Sequence, residues 1–330
     1  DFLAGQGWFD LHQYRLGPPG GTLMHWSRLI DAPIAALIAL FSLVVSPPMA
    51  EVAGLFVWPL LLIVPLMAAL AVAAYRVGGR QAMMLALILA LLYLCAIPRF
   101  RPGAIDHHNV QLVLATVITA MLLDPRARAS SFAAAAVACG LALAIGVETT
   151  PLVAVAAMAV AGLWAVKGQA YRAAAIGYGV TLALATGSIF VATTPPLLYG
   201  SVTCDTLSVG FFGLAALGGL AVAASAALLS GRSAGLRFGA LCLIAVAVGL
   251  AARLGMPQCL QNPFAGMDPL LQRYWLSTIS EAQPISAEIV RNPQNIGAYY
   301  AVGLMGMAVS AFRILRRQQV LAHTLLLALI

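Results

Sequence analysis

The 330-residue chain is 62% hydrophobic and only 9% charged, with a formal net charge of +7. Soluble domains carry about a quarter charged residues, so this composition excludes one and points to an integral membrane protein. No stretch alternates apolar and polar residues in short strands, which excludes an outer-membrane barrel, and the positive charge reads as membrane sidedness and not as a nucleic-acid surface.

Residues 1–51 read as an external loop. W-F-D at Trp8 to Asp10 and L-G-P-P-G-G-T at Leu16 to Thr22 forbid a continuous helix there. H-W-S-R at His25 to Arg28 precedes an apolar run from Ala32 to Val45, too short for a span of about 20 residues, so an interfacial helix is expected. Residues 52–254 are expected to hold transmembrane helices with short loops, over roughly Val52–Ala74, Ala82–Ile97, Val110–Leu123, Phe132–Val147, Leu152–Val166, Ala173–Ala192, Leu207–Leu229 and Phe238–Ala252. A long external loop follows at 255–296, then further transmembrane helices at 297–330. The fold class expected is an all-α polytopic bundle. The chain opens at Asp1 and stops inside an apolar run at Ile330, so both ends are expected to be cuts in a longer protein.

Lys and Arg mark the cytoplasmic loops. With Ala32–Val45 lying on the surface, alternate short loops hold Arg76 and Arg80, Arg126 and Arg128, Lys167 and Arg172, Arg232 and Arg237, and Arg313, Arg316 and Arg317. Asp124 is the one acid among them. The other polar chemistry then falls on the outer face, which suggests a bacterial inner membrane with that face toward the periplasm. Cys204 and Cys259 lie in outer loops, where an oxidising compartment would let them pair.

Arg99 to Val110 reads R-F-R-P-G-A-I-D-H-H-N-V. Pro98, Pro102 and Gly103 break the helix before it, and Asp106, His107 and His108 stand where the next begins. Asp106 reads either as a helix cap, with the imidazoles among lipid headgroups, or with His108 as a ligand pair for one cation. A second polar cluster, L-S-T-I-S-E-A-Q-P from Leu276 to Pro284, sets Glu281 and Gln283 in the long outer loop. Alone it reads as a solvated loop; beside D-x-H on the same face it offers a third ligand.

These pieces together resemble the catalytic subunit of oligosaccharyltransferase, the STT3/AglB/PglB family of membrane glycosyltransferases with the GT-C fold. T-I-S-E at Thr278 to Glu281 is similar to the family's T-I-x-E motif, and G-A-I-D-H-H at Gly103 to His108 to its second acidic motif. W-F-D with L-G-P-P-G-G-T resembles its first external loop, which an interfacial helix follows. The resemblance implies Asp106 and Glu281 as catalytic residues and Asp106, His108 and Glu281 as ligands of Mn²⁺ or Mg²⁺, with His107 solvated or behind the ligands. It implies a polyprenyl-linked sugar donor, an acceptor protein or glycan, and inversion at the transferred sugar. Two family features have no match here: a catalytic Asp in the first loop, for which Asp1 and Asp10 are poor candidates, and the acceptor-reading W-W-D.

Weaker candidates surround this core. His25, Arg28, Arg253 and Arg273 could contact the donor phosphate, although His25, Arg28 and Arg273 also read as interfacial anchoring. Glu148, in G-V-E-T-T-P, reads first as the cap of the next helix and second as a residue reaching the site. Two other function classes stand behind the transferase: a non-catalytic transferase-like membrane scaffold or accessory subunit, then a lipid or solute transporter. The spans are nearly free of charge, whereas ion-coupled transporters place ionisable groups near mid-span.

Overall fold

A computed structural model describes residues 5–15, 17, 19–24, 27–262, 267–279 and 283–329. The chain divides into two units, Asp1–Gly255 and Met256–Ile330, each described by itself.

The first unit opens with a small hairpin. β1 (His12–Gln13) pairs antiparallel with β2 (Thr22–Leu23), His12 opposite Leu23. α1 (Asp31–Phe41) is eleven residues, or about 16 Å, and cannot cross a bilayer, as an interfacial helix requires. It packs on α2 (Pro47–Ala96), which is followed by α3 (His108–Leu122), α4 (Ala129–Ile145), α5 (Thr150–Lys167), α6 (Arg172–Thr193), α7 (Val209–Leu229) and α8 (Ala234–Gly255). Among the described residues, four stretches are long and apolar enough to cross a membrane: Pro47–Cys95, Val147–Thr193, Val209–Leu229 and Ala234–Gly255.

α2 is one element only in name. Gly78 leaves helical geometry and Gly79 sits at φ +69°, the left-handed region that favours glycine. A straight helix of 50 residues would run about 75 Å. Yet the N–H of Gly103, just past its end, donates to the carbonyl of Leu55, near its start, at 3.0 Å. The halves therefore run antiparallel. Where the sequence suggests a loop bearing Arg76 and Arg80, the chain reverses over two glycines.

The core lies around α6, which packs between α4 and α7. α4 is largely alanine, and Ala135, Ala136, Cys139 and Ala142 are buried, so small side chains let the helix axes draw close. At the α6–α7 crossing Gly179 and Gly219 face each other so closely that a Cβ on either would collide with the other's carbonyl.

The two ends of this bundle differ. At one, Arg76 donates to the last carbonyls of α3, Ala120 and Met121. Arg237 is buried in α8 and donates to Ala165 of α5 at 2.8 Å and to Arg232 and Ser230. Asp124, buried in the α3–α4 turn, accepts from Arg128 Nε and Ser131 Oγ, both at 2.6 Å. These are the basic loops that the charge pattern assigns to one side. The other end carries the hairpin and the loop at 98–108.

The second unit holds α9 (Pro269–Tyr274), α10 (Ile285–Arg291), α11 (Pro293–Leu315) and α12 (Val320–Leu329). Asp268 caps α9 by accepting from the Leu270 N–H at 2.7 Å. The segment at 255–296, expected as loop, is thus partly helical. α11 packs against α10 and α12, and buried His323 faces Ser310 across the latter pair at 3.4 Å.

Candidate functional site

The loop that carries Asp106 is pinned at several points. Ile97 is extended, as a residue before proline must be, and ends α2. Phe100 follows in a short turn and is buried against Ile97 and Val113, over Leu62, Ile63, Leu66 and Leu94. Gly103, at φ +87°, makes the bond to Leu55. Asn109, 1% exposed in the first turn of α3, donates back to the Ala104 carbonyl at 2.9 Å. Asp106 is held between these anchors.

Four charged or imidazole groups converge there. Asp106 Oδ2 accepts from Arg99 Nη1 at 3.0 Å and lies 3.5 Å from His108 Nε2. Its Oδ1 lies 2.9 Å from His107 Nδ1. His107 Nε2 in turn meets Glu148 Oε1 at 2.7 Å, so this imidazole bridges two carboxylates. The two rings stack at a tilt, 4.3 Å between centroids. The helix that begins here has no side-chain cap, so the capping reading of Asp106 fails. Glu148 caps nothing either: the turn at Val147–Thr149 and α5 both lack a side-chain cap, and its carboxylate is turned to His107.

The donor set fits a divalent cation. Asp106, His107 and His108 each offer a ligand atom, and these atoms lie within 4.8 Å of one another. Metal–ligand bonds of about 2.0–2.2 Å put neighbouring ligands some 3–4 Å apart, which the 3.5 Å between Asp106 and His108 satisfies. His108 is also oriented for it. Its Nδ1 contacts Gln111 Oε1 at 2.9 Å, which fixes the ring with the Nε2 lone pair toward Asp106, as outer hydrogen bonds do for metal-bound histidines.

Other expected residues fall elsewhere. Arg28 is buried and bonds Asp31 at 2.8 Å and the Asp10 carbonyl, tying α1 to the hairpin. Asp10 accepts from His12 and Tyr14, with the Tyr14 hydroxyl at 2.8 Å, and these bonds take it from 3.8 to about 2. Arg253 is exposed at the end of α8. In the second unit Arg273 lies over the Tyr274 ring, and Gln283 donates to the Leu276 carbonyl at 2.7 Å. His25 and Glu281 lie outside the described residues. Arg99 and Gln111 were not read from the sequence; the one available signal was Gln111 standing three residues after His108 on a helix.

The chain matches no family model and no curated protein. Its backbone does match solved structures of the Archaeoglobus fulgidus oligosaccharyltransferase AglB. One, in complex with an inhibitory peptide and a dolichol-phosphate, superposes with a TM-score of 0.60 at 16% identity, covering 97% of this chain and 39% of that one. Another, in complex with Zn and sulfate, gives 0.61 at 16%, covering 97% and 38%. A third, tethered to an acceptor peptide with the NVT sequon, gives 0.62 at 17%, covering 97% and 39%. The chain has an oligosaccharyltransferase fold. It spans about two fifths of the length of the solved chains it matches.

Proposed function

We propose that this chain is the membrane part of a glycosyltransferase that moves a glycan from a polyprenyl phosphate or pyrophosphate to an acceptor, at the end of the bundle opposite the basic loops. The observation that carries this reading is the pairing of Asp106 with a pre-oriented His108, on a backbone that follows an oligosaccharyltransferase along nearly its whole length. A Zn complex, a dolichol-phosphate complex and a tethered acceptor peptide of that similar protein support a metal, a lipid-linked donor and a peptide acceptor here.

Asp106 and His108 would hold the cation, with Glu281 as a third ligand on the strength of its T-I-S-E motif. Such a cation neutralises charge that develops on a departing phosphate. One carboxylate plus imidazole nitrogen suits Mn²⁺, with Mg²⁺ the harder alternative. His107 positions Asp106 by tying it to Glu148, and Arg99 restrains the same carboxylate from the other side. Glu281 would orient the acceptor nucleophile, which attacks opposite the leaving group and so inverts the sugar. Cys204 and Cys259 are proposed to form a disulfide, readable as a change in thiol labelling on reduction; Cys95, Cys139 and Cys242 are free.

The test is transfer from a fluorescent lipid-linked glycan by the full-length protein in Mn²⁺-containing membranes. Asp106→Ala and Glu281→Ala should each abolish product, and removal of divalent cations should do the same. Transfer at wild-type rate in both variants would overturn the assigned roles.

A further inference from the structure

Gln111 stands one turn along α3 from His108 and is more than nine-tenths buried. Its amide turns two unlike atoms to two neighbours. Oε1 lies 2.9 Å from His108 Nδ1. Nε2 is buried and finds no hydrogen-bond partner among the described residues. Gly146, at the end of α4, shows what it faces. A Cβ on that glycine would fall 2.4 Å from Gln111 Nε2 and 2.5 Å from Glu148 Oε2. Amide and carboxylate thus come together over a residue that has no side chain to keep them apart.

Five side chains therefore form a closed circuit. Asp106 Oδ1 meets His107 Nδ1 at 2.9 Å, and His107 Nε2 meets Glu148 Oε1 at 2.7 Å. Glu148 Oε2 faces Gln111 Nε2, and Gln111 Oε1 meets His108 Nδ1. His108 Nε2 returns to Asp106 Oδ2 at 3.5 Å. Each side chain turns one polar atom to each of its two neighbours.

The order of donors and acceptors around this circuit is constrained. An ionised carboxylate only accepts, so Glu148 admits the N–H₂ side of the amide and repels its carbonyl. Leaving a buried donor unmade is costly, and Glu148 Oε2 is the acceptor on offer. With Nε2 turned to Glu148, Oε1 is turned to His108. A carbonyl also only accepts, so His108 Nδ1 carries the proton and Nε2 keeps its lone pair. Asp106 competes weakly for a proton on Nε2, because 3.5 Å is long for a hydrogen bond and its oxygens already meet Arg99 and His107. We propose that Gln111 is a positioning residue through which Glu148 fixes the tautomer of His108, so that Nε2 is presented unprotonated to the cation. The proposal rests on the reading of His108 as a ligand.

Nitrogen-15 NMR of the histidine-labelled full-length protein reads this tautomer without metal or substrate, at about pH 8.5, well above the ordinary imidazole range. The signal lost in His108→Gln assigns the residue, and the Nδ1–H form is expected. Gln111→Leu should release it to a mixture of tautomers and weaken Mn²⁺ binding, followed by electron paramagnetic resonance of the free ion, by about ten- to a hundredfold. Gln111→Glu should do the same by setting carboxylate against carboxylate. Adding Glu148→Gln to it exchanges the two roles and should restore the Nδ1–H signal and most of the affinity, a rescue that a merely structural role would not give. Gly146→Ala, which wedges the amide and the carboxylate apart, should shift the same signal. An Nε2–H form in the wild type, an unchanged tautomer in Gln111→Leu, or no rescue by the reciprocal pair would overturn the proposal. A wild type in the Nδ1–H form that binds no Mn²⁺ would instead sink the cation reading and leave the role of Gln111 in fixing the tautomer standing.

Discussion

The two ends of the helical bundle use charge in opposite ways. At the basic end Arg76, Arg237 and Asp124 are occupied by backbone or by fixed partners: Arg76 closes α3, Arg237 closes α5, and Asp124 locks the α3–α4 turn through Arg128 and Ser131. Cations at helix C-termini satisfy orphan carbonyls and offset the helix dipole. At the other end Asp106, His107, His108 and Glu148 lie against one another around a half-exposed carboxylate. Charges fixed on backbone make structure. Charges gathered on one another leave room for an ion or a substrate to join them.

That contrast can be broken at either end. The largest effect is expected from Asp106→Ala, which should lower glycan transfer by about a hundredfold or more while leaving thermal stability near wild type. His107→Ala cuts the bridge between the two carboxylates and should raise the Mn²⁺ concentration for half-maximal transfer by about ten- to a hundredfold. With saturating Mn²⁺ most of the rate should return, as a positioning role requires and a ligand role does not. At the basic end the readout reverses. Asp124→Ala should cost about 2 kcal/mol of stability, measured by thermal unfolding in detergent, with transfer per folded molecule unchanged.

Acid sharpens the same comparison. Burial raises the Asp124 carboxyl, but hydrogen bonds from Arg128, Ser131 and the Arg126 N–H, with the charge of Arg76, outweigh it and take the group from 3.8 to about 2. A carboxyl lowered on folding contributes its stability above the unfolded value and loses it as pH falls through the folded one. The wild type should therefore lose this contribution between about pH 4 and pH 2, and Asp124→Ala should show a flatter acid limb. The smallest effect is expected from Arg237→Gln, about 1 kcal/mol, since the amide can still donate to one of the carbonyls.

Much of this was legible in the sequence. Apolar lengths and the spacing of Lys and Arg were enough to order the helices and to send the basic loops to one end. The α2 reversal was placed but not shaped, because Arg76 and Arg80 look like loop residues, whereas Arg76 reaches α3 and the turn itself is Gly78–Gly79. In the site, Asp106 and His108 were visible as adjacent ligand types. Glu148 was visible only as the second reading of a helix cap, since its link to His107 spans 41 residues and exists only through the packing of α3 and α4. Arg99 was hidden for another reason: nothing in a loop's sequence says which way a residue seven positions away will turn.

The two-glycine reversal of α2 also bears on how the protein is made. A conventional loop lets one helix settle across the bilayer before the next follows. Gly78 and Gly79 allow no such interval, because Arg76 and Arg80 flank a turn with no slack. Pro47–Ala96 is therefore expected to enter as a helical pair, with Pro59 and Pro65 inside its first half. The loop bearing Asp106 then follows directly on the second helix of that pair, tied back to its first helix through the Gly103–Leu55 bond.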